Sequence, residues 1–559
     1  MKRILFIICA ALLSSAAAAE KLPKKVAKSR QAVARVMTYS NGTLKSSATA
    51  LFVGGGGDVL VPYAVLAGAD SAVVIDAKGK ARSVRNIVGA NSVYDYAKVR
   101  VERDKKIVGL PLSSSAVAAG DALFMLSYAK KGAGAVEGVK VSAVDSLYSH
   151  AYYTLDMPMQ EKFTSLPLVN ANGELVAMMQ PAASGDTLKS YAIGATMSNE
   201  LTVTAMNYGR GYFEGMKIRT MLPAAKDEAL SCLYMQTMVG DSASYRAVIN
   251  DFMEAFPDSH EGYVCDAEHR AVYDRDMPAA DKSWEKALTL TDNRADVYFN
   301  KCKVINAIVG AGDTLSHEML TFANALECID LAIGSDSLSL YVNYKADMLL
   351  GAGRHAEAYD NYISLVKTDA RSAELFARAA QCKGSLKEYD EAVMLIDSAI
   401  VCLGGSDSRN ATPYILTRAL LNSSAGRYRA AVFDYNKYEQ AMGITLGASF
   451  YTMRAQDEVR SKMFQQALND YEKAISIETR NAAIYFEKAM LCYRVQKFDD
   501  AAEALSYAKE LAPEAPDVYY LLGCVYLKTG DTKLAESNLQ KAASLGHPDA
   551  ESKLKEAEK

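Results

Sequence analysis

The sequence predicts a multidomain protein, with an all-β first part followed by an all-α superhelix of stacked helical hairpins. Three observations carry that reading. From Ser449 to Leu545 the chain repeats every 34 residues, with Ala467, Ala501 and Ala535 on the beat. Each is followed four residues later by Tyr471, Leu505 or Leu539, and seven residues later by Ala474, Ala508 or Ala542. Tyr451, Tyr485 and Tyr519 stand sixteen residues ahead of the three alanines. Spacings of four and seven trace one stripe of a helix, and a fixed period of this length means stacked helix pairs. The second observation is a change of texture. Between Gln31 and about Leu201, short runs of Val, Ile, Tyr and Thr alternate with Gly, Asn, Asp and Ser, which reads as a barrel or sandwich. The third is length, since 559 residues exceed what one hydrophobic core serves.

Taken in order, the chain opens on Met1-Lys2-Arg3, an apolar run from Ile4 to Leu13, and Ala16-Ala17-Ala18-Ala19-Glu20. A basic start, a short apolar core and small residues describe a secretory signal peptide over residues 1–19, cut after Ala19. The run is too short to span a bilayer, and no later segment reads as a membrane span. The mature protein is expected to be soluble and exported, periplasmic or extracellular. With half its residues hydrophobic, 23% charged and a net charge of −4, the composition is that of a soluble globular protein and gives no case for nucleic-acid binding.

Strands are expected at Val33–Tyr39, Ala48–Val53, Val59–Tyr63, Ala72–Ile75, Tyr96–Val101, Ala122–Tyr128, Val139–Val144, Leu175–Met179 and Tyr191–Ile193. The four glycines Gly54–Gly57 fall between two of them. No lysine, serine-threonine pair or helix start follows, so a hairpin loop is expected rather than a phosphate cradle.

Several segments of this part look like bacterial chymotrypsin-fold serine proteases of the high-temperature-requirement type. Ser47–Val53 and Val59–Ala69 are similar to the first-barrel strands that lead to the family's Thr-Asn-x-His-Val. Asp95-Tyr96-Ala97-Lys98-Val99-Arg100-Val101 is similar to Asp-Leu-Ala-Val-Leu-Lys-Val. Thr164-Ser165-Leu166-Pro167-Leu168-Val169-Asn170-Ala171-Asn172-Gly173 resembles Ser-Gly-Gly-Pro-Leu-Val-Asn-x-x-Gly, and Tyr191–Gly194 resembles the closing Phe-Ala-Ile-Pro. The resemblance implies an all-β double barrel of trypsin-like type over residues 20–205. The chemistry does not carry over. A Ser–His–Asp site needs an imidazole to take the nucleophile's proton and a carboxylate to orient it. The matching positions hold Ala64, Asp95 and Thr164, and no histidine precedes His150. Ser165 is a register-shifted alternative nucleophile, and Lys162 stands where an oxyanion-hole glycine is expected. The domain is therefore expected to be a pseudoprotease with no catalytic residues, able at most to take a peptide along a sheet edge.

A linker is expected over residues 206–223 and helical hairpins over residues 224–559, about eight or nine of them. Ala431, Ala392 and Ala358 continue the beat backwards, with steps of 36, 39 and 34 residues. Ala325 with Ile329 and Ala332, then Ala280 with Trp284 and Ala287, mark earlier units, and Tyr245, Ile249, Phe252 and Pro257 a degenerate first one. Tyr519, Leu522, Gly523, Tyr526, Ala535, Leu539 and Ala542 resemble positions 4, 7, 8, 11, 20, 24 and 27 of the tetratricopeptide repeat. That resemblance implies a superhelix whose first helices line a concave surface at positions 2, 5, 9, 12 and 13. Position 13 gives Arg460, Arg494 and Lys528, with Gln456, Tyr493 and Tyr520 nearby, a cationic ladder suited to an acidic or C-terminal segment. Ser544–Lys559 is expected to end the stack as a charged cap.

Eight cysteines lie in the helical part, none as Cys-x-x-Cys, so buried thiols are expected and no metal site. No cofactor is implied. The function expected is that of an exported, non-catalytic scaffold binding a protein or peptide partner, alone or within an envelope assembly. The alternative is a serine endopeptidase with a non-standard or partner-completed active site.

Overall fold

The computed structural model describes residues 22–55, 57–102, 104, 106–128, 136–181, 188–239, 241–312, 315 and 317–557. The signal-peptide stretch 1–19 and Gly56 of the glycine run lie outside them. By internal contacts the chain divides into two compact units, 1–291 and 292–559.

The first unit contains two closed six-stranded antiparallel barrels. Barrel one is formed by β1 (Val33–Ser40), β2 (Thr43–Val53), β3 (Asp58–Pro62), β4 (Ser71–Ile75), β5 (Ala81–Asn91) and β6 (Tyr96–Val101), closed in the order β1-β2-β3-β6-β5-β4. Barrel two is formed by β7 (Ala122–Leu126), β8 (Val136–Leu147), β9 (His150–Leu155), β10 (Pro167–Val169), β11 (Leu175–Met179) and β12 (Ser190–Gly194), in the same relative order for β10-β11-β12-β9-β8-β7. Asn41 and Gly42, both at positive φ, make the two-residue turn from β1 to β2, the geometry whose twist matches that of the strands it joins. The segment between the barrels ties them together, Leu110 pairing with Val53 and Leu112 with Leu175. Their cores merge around Tyr96, which is 1% exposed.

Three strands were not among those expected. In β5 Arg82, Ser83, Arg85 and Asn86 interrupt the apolar residues, β9 (His150-Ala151-Tyr152-Tyr153-Thr154-Leu155) has no regular alternation, and β10 is only three residues long, so each carries a weak apolar pattern. Tyr63 opens a short helix, α2 (Tyr63–Leu66), instead of ending β3. An earlier helix, α1 (Lys24–Ser29), precedes β1.

Residues 206–223 pack closely. Phe213 and Ile218 are buried in the barrel core, and Ile87 of β5 exchanges backbone hydrogen bonds with Arg219 and Met221 at 2.8 Å each. The Arg219 guanidinium donates to Asp251 in α4 (Ser242–Ala255). Helices α3 (Lys226–Val239), α4, α5 (His260–Val272) and α6 (Met277–Thr289) complete the first unit. Compactness therefore changes at residue 291, beyond the change of composition, because this segment is zipped to both β5 and α4.

The second unit is helical throughout its described residues. Antiparallel pairs follow one another: α7 (Ala295–Gly310) with α8 (Phe322–Ser335), α9 (Ser339–Gly351) with α10 (His355–Val366), and α11 (Ala373–Ser385) with α12 (Tyr389–Cys402). Next come α13 (Thr412–Ser424) with α14 (Tyr428–Met442), α15 (Ala448–Arg460) with α16 (Phe464–Ile477), α17 (Ala482–Arg494) with α18 (Phe498–Leu511), and α19 (Pro516–Thr529) with α20 (Thr532–Ser544). The alanines on the beat are fully buried, including Ala358, Ala392, Ala431, Ala467, Ala501 and Ala535. A Cβ on Gly523 would stand 2.6 Å from Leu539 Cγ, so α19 and α20 cross too closely for any side chain there. The recurrent tyrosine has its own reason: Tyr485 donates to Thr479 O at 3.2 Å and Tyr519 to Pro513 O at 3.0 Å. In these two units the hydroxyl ties the helix to the carbonyl six residues upstream, at the turn entering it, whereas Tyr451 donates to Glu439 Oε1 at 3.0 Å.

The C-terminal stretch is more than a solvated cap. It forms α21 (Ala550–Ala557), which buries Ala550 against Tyr519 and Ala542. Among the described cysteines seven are buried and none is bridged, while Cys402, expected to be buried, is exposed at the end of α12. Burial pushes the Cys265 and Cys302 thiols up to about 12, away from reactivity.

Candidate functional site

Two places have the make-up of a site. The first is where barrel one turns from β5 to β6. Asp95 sits there at φ +54°, and its Oδ1 accepts the Ala64 amide at 3.0 Å. Its carbonyl accepts the Tyr63 amide, also at 3.0 Å. Burial pushes the Asp95 carboxyl above its usual range, against the lowering effect of the Ala64 amide. The carboxylate is therefore held at the residue where a triad would place an imidazole, and that residue offers an exposed methyl group.

Thr164 and Ser165 lie in the turn between the short helix Glu161–Phe163 and β10. Ser165 is 2% exposed with φ +67°, a left-handed conformation at the place where the protease pattern has glycine. Its amide donates to Met179 O at 3.1 Å. The Tyr96 hydroxyl donates to the same carbonyl at 2.8 Å and meets the Ser165 side chain. Ser165 is thus a packed residue between the barrels. The Thr164 amide, which an oxyanion hole needs free, donates to Glu161 O at 3.1 Å, and the Phe163 amide donates to Gln160 O at 2.8 Å. Lys162 turns its ammonium over the Phe163 ring, 4.9 Å from the centroid.

His150 is buried away from this turn. Its Nδ1 lies 3.1 Å from Thr196 Oγ1 and its Nε2 2.9 Å from Glu200 Oε2, with Tyr94 edge-on at 5.4 Å. That ring holds the Glu200 carboxyl below its usual range.

The second place is the series of first helices of the repeats. Arg460 and Arg494 are the last residues of α15 and α17, and Lys528 is the last but one of α19. All three are exposed. Arg460 lies over the Tyr428 ring at 5.1 Å and 3.5 Å from Asp457 Oδ1, and Arg494 lies over Phe464 at 5.4 Å. The companions expected beside them are engaged elsewhere. Gln456 donates to both oxygens of Glu487 at 2.9 and 3.0 Å, a carboxylate that also accepts from Tyr471. Tyr493 packs edge-on against Phe498, and Tyr520 stacks on His547 at 3.9 Å.

The hollows of this series lie upstream of the ladder. One of about 520 Å³ opens between α11 and α13, lined by Glu374, Ala377, Gln381, Gly384, Leu420 and Leu421 among others. Counting from Ala392 and Ala431 as position 20, the α11 residues occupy positions 2, 5, 9 and 12, and Leu420 occupies position 9. Another of about 410 Å³ opens between α7 and α9 beside Asn306, Tyr344, Asp347 and Gly351. Sequence reasoning settled on the tidiest repeats and missed these. The available signal was the small pairs Gly351-Ala352 and Gly384-Ser385 at helix ends, where missing side chains leave space.

Comparison with known proteins bears on the last repeat directly. Residues 516–545 match the tetratricopeptide repeat family model. A TPR repeat-containing protein of Methanocaldococcus jannaschii is 31% identical over 81 residues, 14% of each chain. An Hsp70/Hsp90 co-chaperone of Saccharomyces cerevisiae is 24% identical over 100 residues, 18% of this chain and 26% of that protein. The chain thus spans about a seventh and a quarter of these two relatives. Among solved structures, the serine endoprotease from Yersinia pestis is 18% identical, with 32% of this chain and 63% of that chain covered and a TM-score of 0.27. YrrB, a TPR protein with an unusual peptide-binding site, is also 18% identical, with 35% and 97% covered and a TM-score of 0.30. No described helix is long and apolar enough to cross a membrane.

Proposed function

We propose that this is an exported, non-catalytic binding protein whose helical repeats take an extended protein or peptide segment along their concave face, the barrels serving as a second docking surface. The observation that carries this reading is the pair of hollows between successive first helices, with the cations Arg460, Arg494 and Lys528 exposed further along the same series of helix ends. Hollows of several hundred Å³ suit apolar side chains, and a row of cations suits an acidic or carboxylate-terminated segment. For the barrels, Ala64 in place of a base, a buried Ser165 and a Thr164 amide already bonded support a docking role over hydrolysis.

The test is selection of a phage-displayed random dodecapeptide library on the full chain. Enriched peptides whose binding is lost in Gln381→Arg/Leu420→Arg would uphold the groove. Loss of binding in Arg460→Glu/Arg494→Glu/Lys528→Glu would assign their acidic end to the ladder. Absence of any enriched sequence, or binding indifferent to both variants, sinks the proposal.

One observation favours a second reading, a serine endopeptidase completed by a partner: Asp95 keeps the carboxylate-to-amide geometry at Ala64 without an imidazole to orient. Casein turnover together with labelling of Thr164 or Ser165 by a fluorophosphonate, both abolished by Thr164→Ala/Ser165→Ala, would establish it.

A further inference from the structure

The first unit holds a cavity of about 750 Å³ that neither site above uses. It is walled by α1, the turn from β4 to β5, the segment leading from barrel one to barrel two, and the turn between β10 and β11. It is remote from Asp95. The register of β5 with β6 pairs Asn91 with Tyr96 at one end and Val84 with Val101 at the other. The cavity lies at the Ala81 end of β5, roughly 30 Å of strand away from Asp95.

Its lining is strongly cationic. Lys25, Lys28, Lys78, Lys80, Lys106 and Arg82 face two carboxylates, Asp76 and Asp104. In a chain whose net charge is −4, this is a local concentration of positive charge. The carboxylates are already committed. Asp76 Oδ1 accepts the amides of Lys78 and Lys80 at 2.9 and 3.0 Å, and Asp104 Oδ1 accepts the Lys106 amide at 3.0 Å. Their other oxygens share one nitrogen of Arg82, Nη2, at 3.2 and 2.9 Å. The five lysines are exposed, and among the described residues only Lys80 of the five reaches a carboxylate, at 3.7 Å from Asp104. Lys25 reaches the neutral Asn172 Oδ1 at 3.5 Å.

Arg82 supplies a second, independent observation. It is 7% exposed, and its Nε–H is buried with no hydrogen-bond partner among the described residues. A buried guanidinium donor left unmade is unfavourable, and such groups are ordinarily satisfied by protein, water or ligand. An oxyanion in the cavity would accept it, with lysines closing around the remaining charge.

We propose that this cavity binds a small molecule bearing two or more phosphate groups, with Arg82 as the buried anchor and Lys78, Lys80 and Lys106 as the mobile clamp. The volume is that of a small-molecule site, and lysine binds phosphate as a point charge with no demand for planar geometry. Two sources share this chemistry, a soluble polyphosphorylated compound and an anionic lipid headgroup.

The test is calorimetric titration of the full chain with tripolyphosphate. Saturable binding is expected, weakened at least tenfold between 50 and 200 mM salt and at least tenfold in Lys78→Ala/Lys80→Ala/Lys106→Ala. These lysines are exposed, so the variant keeps the Arg82–Asp76–Asp104 arrangement, which an unchanged circular dichroism spectrum and melting profile would verify. Cosedimentation with vesicles containing cardiolipin, whose headgroup carries two phosphates, lost in the same variant, would place the phosphates on a headgroup. Tripolyphosphate binding without cosedimentation would place them on a soluble ligand. Absence of both, or binding undiminished in the triple variant, overturns the proposal.

Discussion

The barrels and the repeats bury comparable apolar residues by opposite means. In the barrels, contacts reach far along the chain: Tyr96 bonds Met179, Leu112 pairs with Leu175, and Ser29 donates to Gly173 O. In the repeats nearly every contact joins one helix to the next or to the equivalent helix one unit on. The barrels should therefore open together, whereas a repeat array opens in pieces. Polar groups follow the same division. The repeats reuse one internal clamp: Arg418 grips Asp434 with two nitrogens at 3.0 and 2.7 Å, and Arg454 grips Asp470 at 2.6 and 3.0 Å, each pair sixteen residues apart. At the seam of the barrels, the Tyr96 hydroxyl donates to Met179 O and the Gln180 side-chain amide to Tyr94 O.

Four measurements press on this comparison. The largest effect is expected from Arg454→Ala. Its side chain and that of Asp470 are 4% and 5% exposed, and removing one partner of a buried pair costs about 3–5 kcal/mol. Hydrogen exchange should rise in α14 to α17 while barrel amides keep their protection. A barrel that loosens equally would break the contrast.

Next comes pH. Burial pushes the Glu458 carboxyl up to about 7, Asp470 and Glu439 adding to the rise and Arg454 and Lys473 opposing it. Its folded value lies above the ordinary 4.5, so between these two pH values the folded state holds a proton that the unfolded state has released. Stability from this group is thus full below about 4.5 and lost as pH rises through about 7. Between wild type and Glu458→Gln, the difference in repeat stability should change by about 1–3 kcal/mol across that window. Parallel pH profiles would refute it.

Tyr96→Phe should cost about 1 kcal/mol by removing one of the two hydrogen bonds that Met179 O accepts at the seam, the Ser165 amide keeping the other. Exchange should rise across both barrels together. A rise confined to β6 would mean that the barrels are energetically separate. The smallest effect expected is none at all: Ala64→His with Thr164→Ser should leave casein hydrolysis at background, because the Thr164 amide remains bonded to Glu161 O. Measurable turnover would show that substrate binding frees that amide.

Much of the fold was legible because repeats and strand patterns are local signals. The alanine beat, the hairpin at Gly54–Gly57 and strands such as Val33–Ser40 depend on residues close in sequence. The missed strands β5, β9 and β10 are held by pairing partners that no local pattern specifies. The candidate site shows the same split. Ala64, Asp95 and Thr164 could be aligned by motif, but a buried Ser165 and a consumed Thr164 amide are facts of three-dimensional packing. Likewise the ladder of Arg460, Arg494 and Lys528 follows from period alone, whereas the hollow beside Gly384 and Leu420 exists only once two first helices stand side by side.

The sequence by itself determined the order of the two architectures, the phase of the helical units and the absence of histidine at position 64. These are properties of residue identity and short spacing. Tertiary structure alone decided that residues 206–223 join barrel to helix, that Cys402 faces solvent, and that six cations from three separate segments surround one cavity. Those outcomes depend on which distant segments meet, and the free energy of meeting is spread over whole surfaces rather than written in any one stretch.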